Sequence, residues 1–298
     1  MSPLKVTYHL LQLNEFGGQI VKFLKVSNSV YIVTDENNKK KVYTSSGKEV
    51  ADIILPKSKY CRNTLSRRTL DINNLRCVCG DKAYSWFHYK GLRRYVIEHD
   101  LKSGKTSYVM PIFGSTMILN IEILCLTING IDAALLIPYP FDESYAVLGL
   151  EPSIIWNEKL VPVKGLGSLV TNFEGATSSY DMAAFWTRDK LTVVRLGCSD
   201  SGFTVTNRWN FTFDDDILDV AFWGKDMILT LIPGELYVVS LESRRVIVKG
   251  SLKPDDAKVI EVSGRDLYLA SSKRLYYLEA LPAEATLKKQ LIANLQVV

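Results

Sequence analysis

Residues 234–249 read Gly-Glu-Leu-Tyr-Val-Val-Ser-Leu-Glu-Ser-Arg-Arg-Val-Ile-Val-Lys. From Leu236 to Leu241 the β-branched and aromatic density is that of a strand, Ser243 and Arg244 interrupt it, and Val246 to Val248 resumes it. Such side chains fit a pleated surface and the polar break supplies a turn, so the stretch predicts a hairpin.

Versions of its first strand recur along the chain: Lys41-Val42-Tyr43, Arg94-Tyr95-Val96-Ile97, Ser144-Tyr145-Ala146-Val147, Lys190-Leu191-Thr192-Val193-Val194 and Arg274-Leu275-Tyr276-Tyr277-Leu278. With Val42, Tyr95, Tyr145, Leu191, Leu236 and Leu275 taken as equivalent, the spacings are 53, 50, 46, 45 and 39 residues. A propeller blade occupies roughly 40 to 50 residues. Three of the strands are followed in phase by similar turns, Ser46-Gly47-Lys48, Ser103-Gly104-Lys105 and Ser243-Arg244-Arg245.

Each of these strands follows another, at Val30–Thr34, Ala83–Tyr89, Ala133–Pro138, Met182–Trp186, Asp226–Ile232 and Asp266–Ala270. A further apolar segment precedes that one, at Ile20–Val26, Leu75–Val78, Met117–Leu126, Ser168–Phe173, Leu218–Trp223 and Lys258–Val262. Four short strands per unit, a to d, repeated six times with polar turns, predict an all-β chain forming one β-propeller domain over residues 1–298. Seven blades is the alternative count, if the two terminal segments build another.

This pattern resembles the WD40-like and related propeller proteins over nearly the whole chain. The resemblance is architectural and identifies no specific family. The Gly-His and Trp-Asp signatures of WD40 repeats are absent, and the Ala-Phe-Trp phrases at Ala184 and Ala221 fall on different strands of the repeat.

Two segments lie outside the repeat. Within residues 1–14, Leu4–Leu13 alternates as a strand and is expected to close the last blade from outside, which removes an open sheet edge. Residues 282–296 are expected to form a helix with Leu287, Leu291, Ile292 and Leu295 on one stripe, Pro282 near its start and Glu284 in its first turn.

With 47% hydrophobic and 23% charged residues, the chain belongs to the folded globular class and not the disordered one. The N-terminus shows no secretory pattern, and the most apolar window, Met117–Phe141, is broken by Asn120, Glu122, Asn129, Gly130 and Asp132. An intracellular protein with no membrane span is therefore expected. Five scattered cysteines, Cys61, Cys77, Cys79, Cys125 and Cys198, predict reduced, mostly buried thiols and no secreted disulfide framework.

Charge is unevenly distributed. Residues 1–110 hold 19 Lys plus Arg against 9 Asp plus Glu, which leaves 17 against 23 of the totals of 36 and 32 for the rest. In propellers the b-to-c turns and d-to-a connections emerge on one face. Lys39, Lys40 and Lys41 fall in the first b-to-c turn, Lys57, Lys59, Arg62, Arg67 and Arg68 in the first d-to-a connection, and Lys90, Arg93 and Arg94 in the second b-to-c turn. Asp142, Glu143, Asp214, Asp215, Asp216, Asp255 and Asp256 are expected across the same face.

A concentrated positive sector steers polyanions toward itself with salt-sensitive affinity. The partner classes are therefore a protein within a larger complex, its surface acidic, and, as the alternative, RNA or DNA, for which Tyr60, His88 and Tyr89 offer stacking surfaces. The competing reading of the same cations is a solvated surface that keeps the protein soluble.

No residue set announces catalysis. Cys61, Cys77, Cys79 and His88 raise the question of zinc, and Cys77 and Cys79 share one strand face, but no Cys-x₂₋₄-Cys knuckle or second pair is present. Buried strand cysteines are the expectation. Asp214-Asp215-Asp216 lacks the spacing and glycine of a calcium loop, and Gly165-Leu166-Gly167-Ser168 reads as an inter-blade connection. With three histidines, no nucleophile elbow and no phosphate loop, the sequence points to no cofactor and to a non-catalytic role. An enzyme with residues gathered at the channel mouth from separate blades is the third class.

Overall fold

The structure is a computed structural model that describes residues 3–26, 29–50, 75–89, 93–112, 120–139, 151–157, 159–170, 172–264 and 266–278. These divide into two compact units, one of Met1–Phe23, Asn28–Glu49 and Leu218–Val298, the other of Leu24–Ser27 and Val50–Ile217. The expected helix at 282–296 lies outside the described residues.

In the first unit, β1 (Leu4–His9) and β2 (Leu11–Glu15) precede a three-stranded sheet of β3 (Gln19–Val26), β4 (Ser29–Glu36) and β5 (Lys39–Thr44). The second unit carries β6 (Leu75–Cys79), β7 (Lys82–Tyr89), β8 (Arg93–Asp100) and β9 (Thr106–Ile112) as one four-stranded meander. A second meander follows, of β10 (Asn120–Ile128), β11 (Ile131–Tyr139), β12 (Ser153–Trp156) and β13 (Lys159–Lys164). A third comprises β14 (Gly175–Ser179), β15 (Met182–Thr187), β16 (Lys190–Ser199) and β17 (Gly202–Thr212). Two parallel pairs, Val163 with Phe203 and Lys164 with Thr204, join the last two meanders into one eight-stranded sheet.

The chain then returns to the first unit with β18 (Asp219–Trp223), β19 (Met227–Ile232), β20 (Glu235–Ser240) and β21 (Arg245–Lys253), and ends its described part with β22 (Val259–Ser263), β23 (Asp266–Ser271) and β24 (Arg274–Leu278). The 234–249 hairpin is the β20–β21 pair. Every residue of β19, Met-Ile-Leu-Thr-Leu-Ile, is buried, which is why this strand is apolar on both faces except at Thr230 and does not alternate. Leu229, Leu231, Leu236 and Val238 pack there with Ile260, Val262, Leu267 and Leu269 in one core.

The N-terminal segment does not act as a single strand. β1 runs parallel to β21, with Leu4 opposite Val248 and His9 opposite Lys253, whereas β2 runs antiparallel to β24. β2 is thus the fourth strand of the sheet β22–β24, and β1 the fifth of its neighbour.

The strand plan is that of a β-propeller: successive a-b-c-d meanders, with repeated devices at equivalent places. The three in-phase turns read from the sequence each carry a left-handed residue, Gly47 (φ +83°), Gly104 (φ +70°) and Arg244 (φ +56°). The c–d pairs β8–β9, β16–β17 and β20–β21 each contain a register shift, at Val96/Ile97, Arg195/Leu196 and Val238/Val239. In the same three blades the carbonyl of an aspartate ahead of strand b accepts the amide of a leucine in the last part of strand c or just after it. These pairs are Asp81 with Leu101, Asp181 with Leu196 and Asp226 with Leu241, at 2.7, 2.8 and 2.8 Å.

Two expected strands differ. Ser168–Phe173 is no strand: Gly167–Leu169 is a single 3-10 turn, and the first strand of that blade begins at Gly175. The buried residues Leu166, Val170 and Phe173 are spaced four and three apart, a helical period that one tight turn satisfies. In the preceding blade the third strand is Ser153–Trp156, paired with β11, while Ser144–Val147 lies outside the described residues. Ser153, Ile154 and Ile155 are all buried, so this short strand lacks the alternation used to find its counterparts.

Candidate functional site

Of the eleven basic residues expected to form one sector, Lys57, Lys59, Arg62, Arg67, Arg68 and Lys90 lie outside the described residues. Arg93 and Arg94 open β8, and their backbones stand opposite Tyr89 and His88 across the b–c hairpin. Lys39, Lys40 and Lys41 are the first residues of β5 and not the turn itself, which is Asn37-Asn38. Both asparagines are left-handed (φ +55° and +64°), the conformation a two-residue hairpin of this kind requires. Lys39 is exposed and Lys40 half-buried.

Lys41 is engaged. Its Nζ lies 2.8 Å from Glu36 and 3.6 Å from Glu49. The hydrogen bond to Glu36 holds the ammonium well above the usual lysine range, and the same bond, with a second from the Tyr43 hydroxyl at 2.8 Å, holds the Glu36 carboxyl below its own. Lys41 therefore belongs to a local charge network of the first sheet.

Of the acidic residues expected opposite, Asp142 and Glu143 lie outside the described residues. Asp214, Asp215 and Asp216 are exposed between β17 and β18, where Asp215 Oδ1 accepts the amide of Asp216 at 2.8 Å. Asp256 is committed to its own unit, accepting from the Ser271 hydroxyl at 2.7 Å and the Tyr276 hydroxyl at 3.2 Å.

The cysteines depart from the all-reduced expectation. Cys79 on β6 and Cys125 on β10 form a disulfide with their Cα atoms 5.3 Å apart. The two strands face each other over a shared core of Tyr84, Trp86 and Val96 from one blade and Ile121, Ile123 and Leu136 from the next. A sequence separation of 46 residues hides that proximity. Cys77 lies on the Cys79 face, as the period of two requires, with its Sγ 3.9 Å from that of Cys79. These three sulfurs are the one group of metal-type ligands gathered among the described residues.

A second buried polar cluster sits in the β6–β9 blade. Ser85 Oγ and His99 Nε2 are 2.7 Å apart, and the Thr106 hydroxyl is 3.3 Å from Nδ1 of the same ring. Burial drives the His99 imidazole down to about 4, so it is neutral at physiological pH. The order nucleophile, imidazole, polar orienter has the outline of a hydrolytic triad. Its third member is a hydroxyl and not a carboxylate, and Ser85 has no exposed surface at all, so no substrate reaches it. The cluster clamps β7, β8 and β9 together. Beside it, buried Glu98 accepts from the Tyr84 hydroxyl at 3.0 Å and from Lys82 at 2.8 Å.

No family model matches the chain. No curated protein sequence matches it. Among solved structures the chain is similar to the crystal structure of Saccharomyces cerevisiae Sqt1, at 11% sequence identity over 90% of this chain and 83% of that one, with a TM-score of 0.46. The class, an all-β protein of propeller type, rests here on the strand order and its repeated turn devices. No helix among the described residues is long and apolar enough to cross a membrane.

Proposed function

We propose that the chain is a non-catalytic docking platform whose basic b-to-c segments bind an acidic surface of a partner protein in a larger complex. The observation that carries this reading is the cationic start of β5, with Lys39 exposed and Lys40 half-buried, just past a two-asparagine turn. It lies within the part of the chain that holds 19 cations against 9 anions. Arg93 and Arg94 start β8 at the equivalent b-to-c position of the next blade. Cations presented on strand starts are held in place by the ladder, which lowers the ordering cost of binding.

The test is charge reversal in the full chain. Lys39, Lys40, Arg93 and Arg94 are changed to Glu, with Lys105→Glu at a c–d turn as the control, and the proteins co-purified with each bait are quantified. The expected result is loss of one or a few proteins from the fourfold variant and retention by the control. An unchanged set sinks the proposal. Polynucleotide binding with a steep salt dependence, lost in the same variant, replaces the protein partner by nucleic acid.

A further inference from the structure

Cys77, Cys79 and Cys125 bring three sulfur atoms within 4.8 Å of one another. Cys79 is the buried member, 4% exposed, and its disulfide to Cys125 crosses from β6 to β10. Cys77 and Cys125 are each half-buried on either side of it. Cys77 keeps its thiol, and its sulfur stands 3.9 Å from the buried end of the disulfide.

We propose that the three form a thiol–disulfide exchange centre in which Cys79 changes partner between Cys125 and Cys77. The Cys77 thiol gives its proton to solvent and the thiolate attacks Cys79 Sγ. The Cys77–Cys79 bond forms as the Cys79–Cys125 bond breaks, and the electron pair leaves on Cys125 Sγ, which takes up a proton. The step is an isomerisation that consumes no oxidant or reductant.

The geometry supports both states. In the observed one the sulfur of Cys77 is 3.9 Å from its target on the same strand face but beside the Cys79–Cys125 bond and not on its axis, the three sulfurs all lying within 4.8 Å of one another, so the in-line attack first requires the Cys77 side chain to rotate. In the other, two residues of strand span roughly 6.6 Å between Cα atoms, inside the upper limit of about 6.8 Å for a disulfide. The first state staples two neighbouring blades covalently. The second releases that staple and leaves a thiol on Cys125.

The experiment reads the two isomers directly. The full chain is quenched in acid without reductant, alkylated under denaturing conditions and digested with trypsin. Cleavage after Arg76 and Lys82 keeps Cys77 and Cys79 on one peptide and leaves Cys125 on another. The observed state gives the two peptides cross-linked with Cys77 alkylated. The exchanged state gives an internally closed 77–82 peptide and alkylated Cys125.

Both are expected, the minor one at about 1% or more, a populated alternate state, and Cys77→Ser is expected to abolish alkylation of Cys125. In Cys125→Ser, air oxidation is expected to close Cys77 with Cys79. Finding only the first isomer in the wild type at every pH, or two persistent thiols in oxidised Cys125→Ser, overturns the proposal. So does a chain isolated with all three thiols alkylated after release of one zinc ion, which makes the group a metal site.

Discussion

Asp219 Oδ2 accepts the backbone amide of Ile260 at 2.9 Å, which ties the first strand of one blade, β18, to the first strand of the next, β22. The other carboxylate oxygen accepts the amide of Val220, also at 2.9 Å. A single side chain thus satisfies two backbone donors at a place where neighbouring sheets meet. Burial dominates its ionisation and pushes the carboxyl up to about 7, against the two amides, which pull it back.

Two substitutions separate these effects. Asp219→Ala leaves both amides without an acceptor and is expected to cost about 1 to 3 kcal/mol. Asp219→Asn keeps one acceptor and removes the charge. Because the folded-state value of about 7 lies above the usual 3.8, the folded protein holds this proton more tightly than the unfolded chain. The stabilisation is full below 3.8 and is lost as pH rises through 7. The stability of the wild type relative to the Asn variant should therefore fall between about pH 4 and 7 in urea titrations. A flat difference means that the carboxyl is ionised at an ordinary pH.

His99 should behave in the opposite sense. Its imidazole is held neutral down to about 4, below the usual 6.5, so the unfolded chain binds the proton first. The stability it contributes is fully present above 6.5 and is lost as pH falls toward 4, by on the order of 3 kcal/mol. Proton NMR should show one of the three imidazoles failing to titrate above pH 5. Ser85→Ala orphans Nε2 and should cost about 1 to 3 kcal/mol. Titration of the His99 ring near 6.5 would mean that it is not buried against Ser85.

How far these sites are legible in the sequence differs from one to the next. The β20–β21 hairpin and its counterparts in most blades are readable because strand c carries a dense Leu-Tyr-Val pattern and a left-handed turn residue follows at Gly47, Gly104 and Arg244. A second marker repeats just as regularly and was the better ruler: Asp81, Asp132, Asp181, Asp226 and Asp266 each stand at the start of strand b. Three of the carboxylates reach partners on strand c or in the turn after it, as Asp81 does Lys102, Asp181 does Arg195 and Asp266 does the Tyr277 hydroxyl, while Asp132 accepts from the Thr127 hydroxyl on strand a.

What the sequence hides is proximity across blades. Cys79 and Cys125, like Asp219 and Ile260, meet because two sheets stack, and no local pattern marks either pair. Charge is similarly local knowledge: three consecutive lysines read alike, yet the fold pairs Lys41 with Glu36 and Glu49 and leaves Lys39 exposed.

Gly175 on β14 has ordinary backbone geometry but no room. A methyl group there would come within 2.2 Å of the Trp186 ring on the adjacent strand. Gly175→Ala should therefore destabilise the eight-stranded sheet by about 1 to 3 kcal/mol through overpacking. Gly130→Ala is the contrast: nothing lies within 4 Å and the strain comes from φ +80° alone, so the cost should be about 1 kcal/mol. Equal losses in thermal or urea unfolding would remove the packing argument at Gly175.

Gly250 on β21 plays the same part for the N-terminal strand. A Cβ at this position would fall 2.2 Å from the Tyr8 ring and 3.1 Å from Val6, both on β1. The Tyr8 ring occupies the space a side chain at this position would need, so β1 adds to β21 where the backbone is bare. Gly250→Val should expel β1 while leaving β18 to β21, whose core is built from Leu229, Leu231, Leu236 and Val238, in place. Amide hydrogen exchange is the measurement. Protection is expected to disappear from Lys5 to His9 and to persist in β19 and β20. Loss of protection throughout the sheet would instead show that β1 folds as an inseparable part of it.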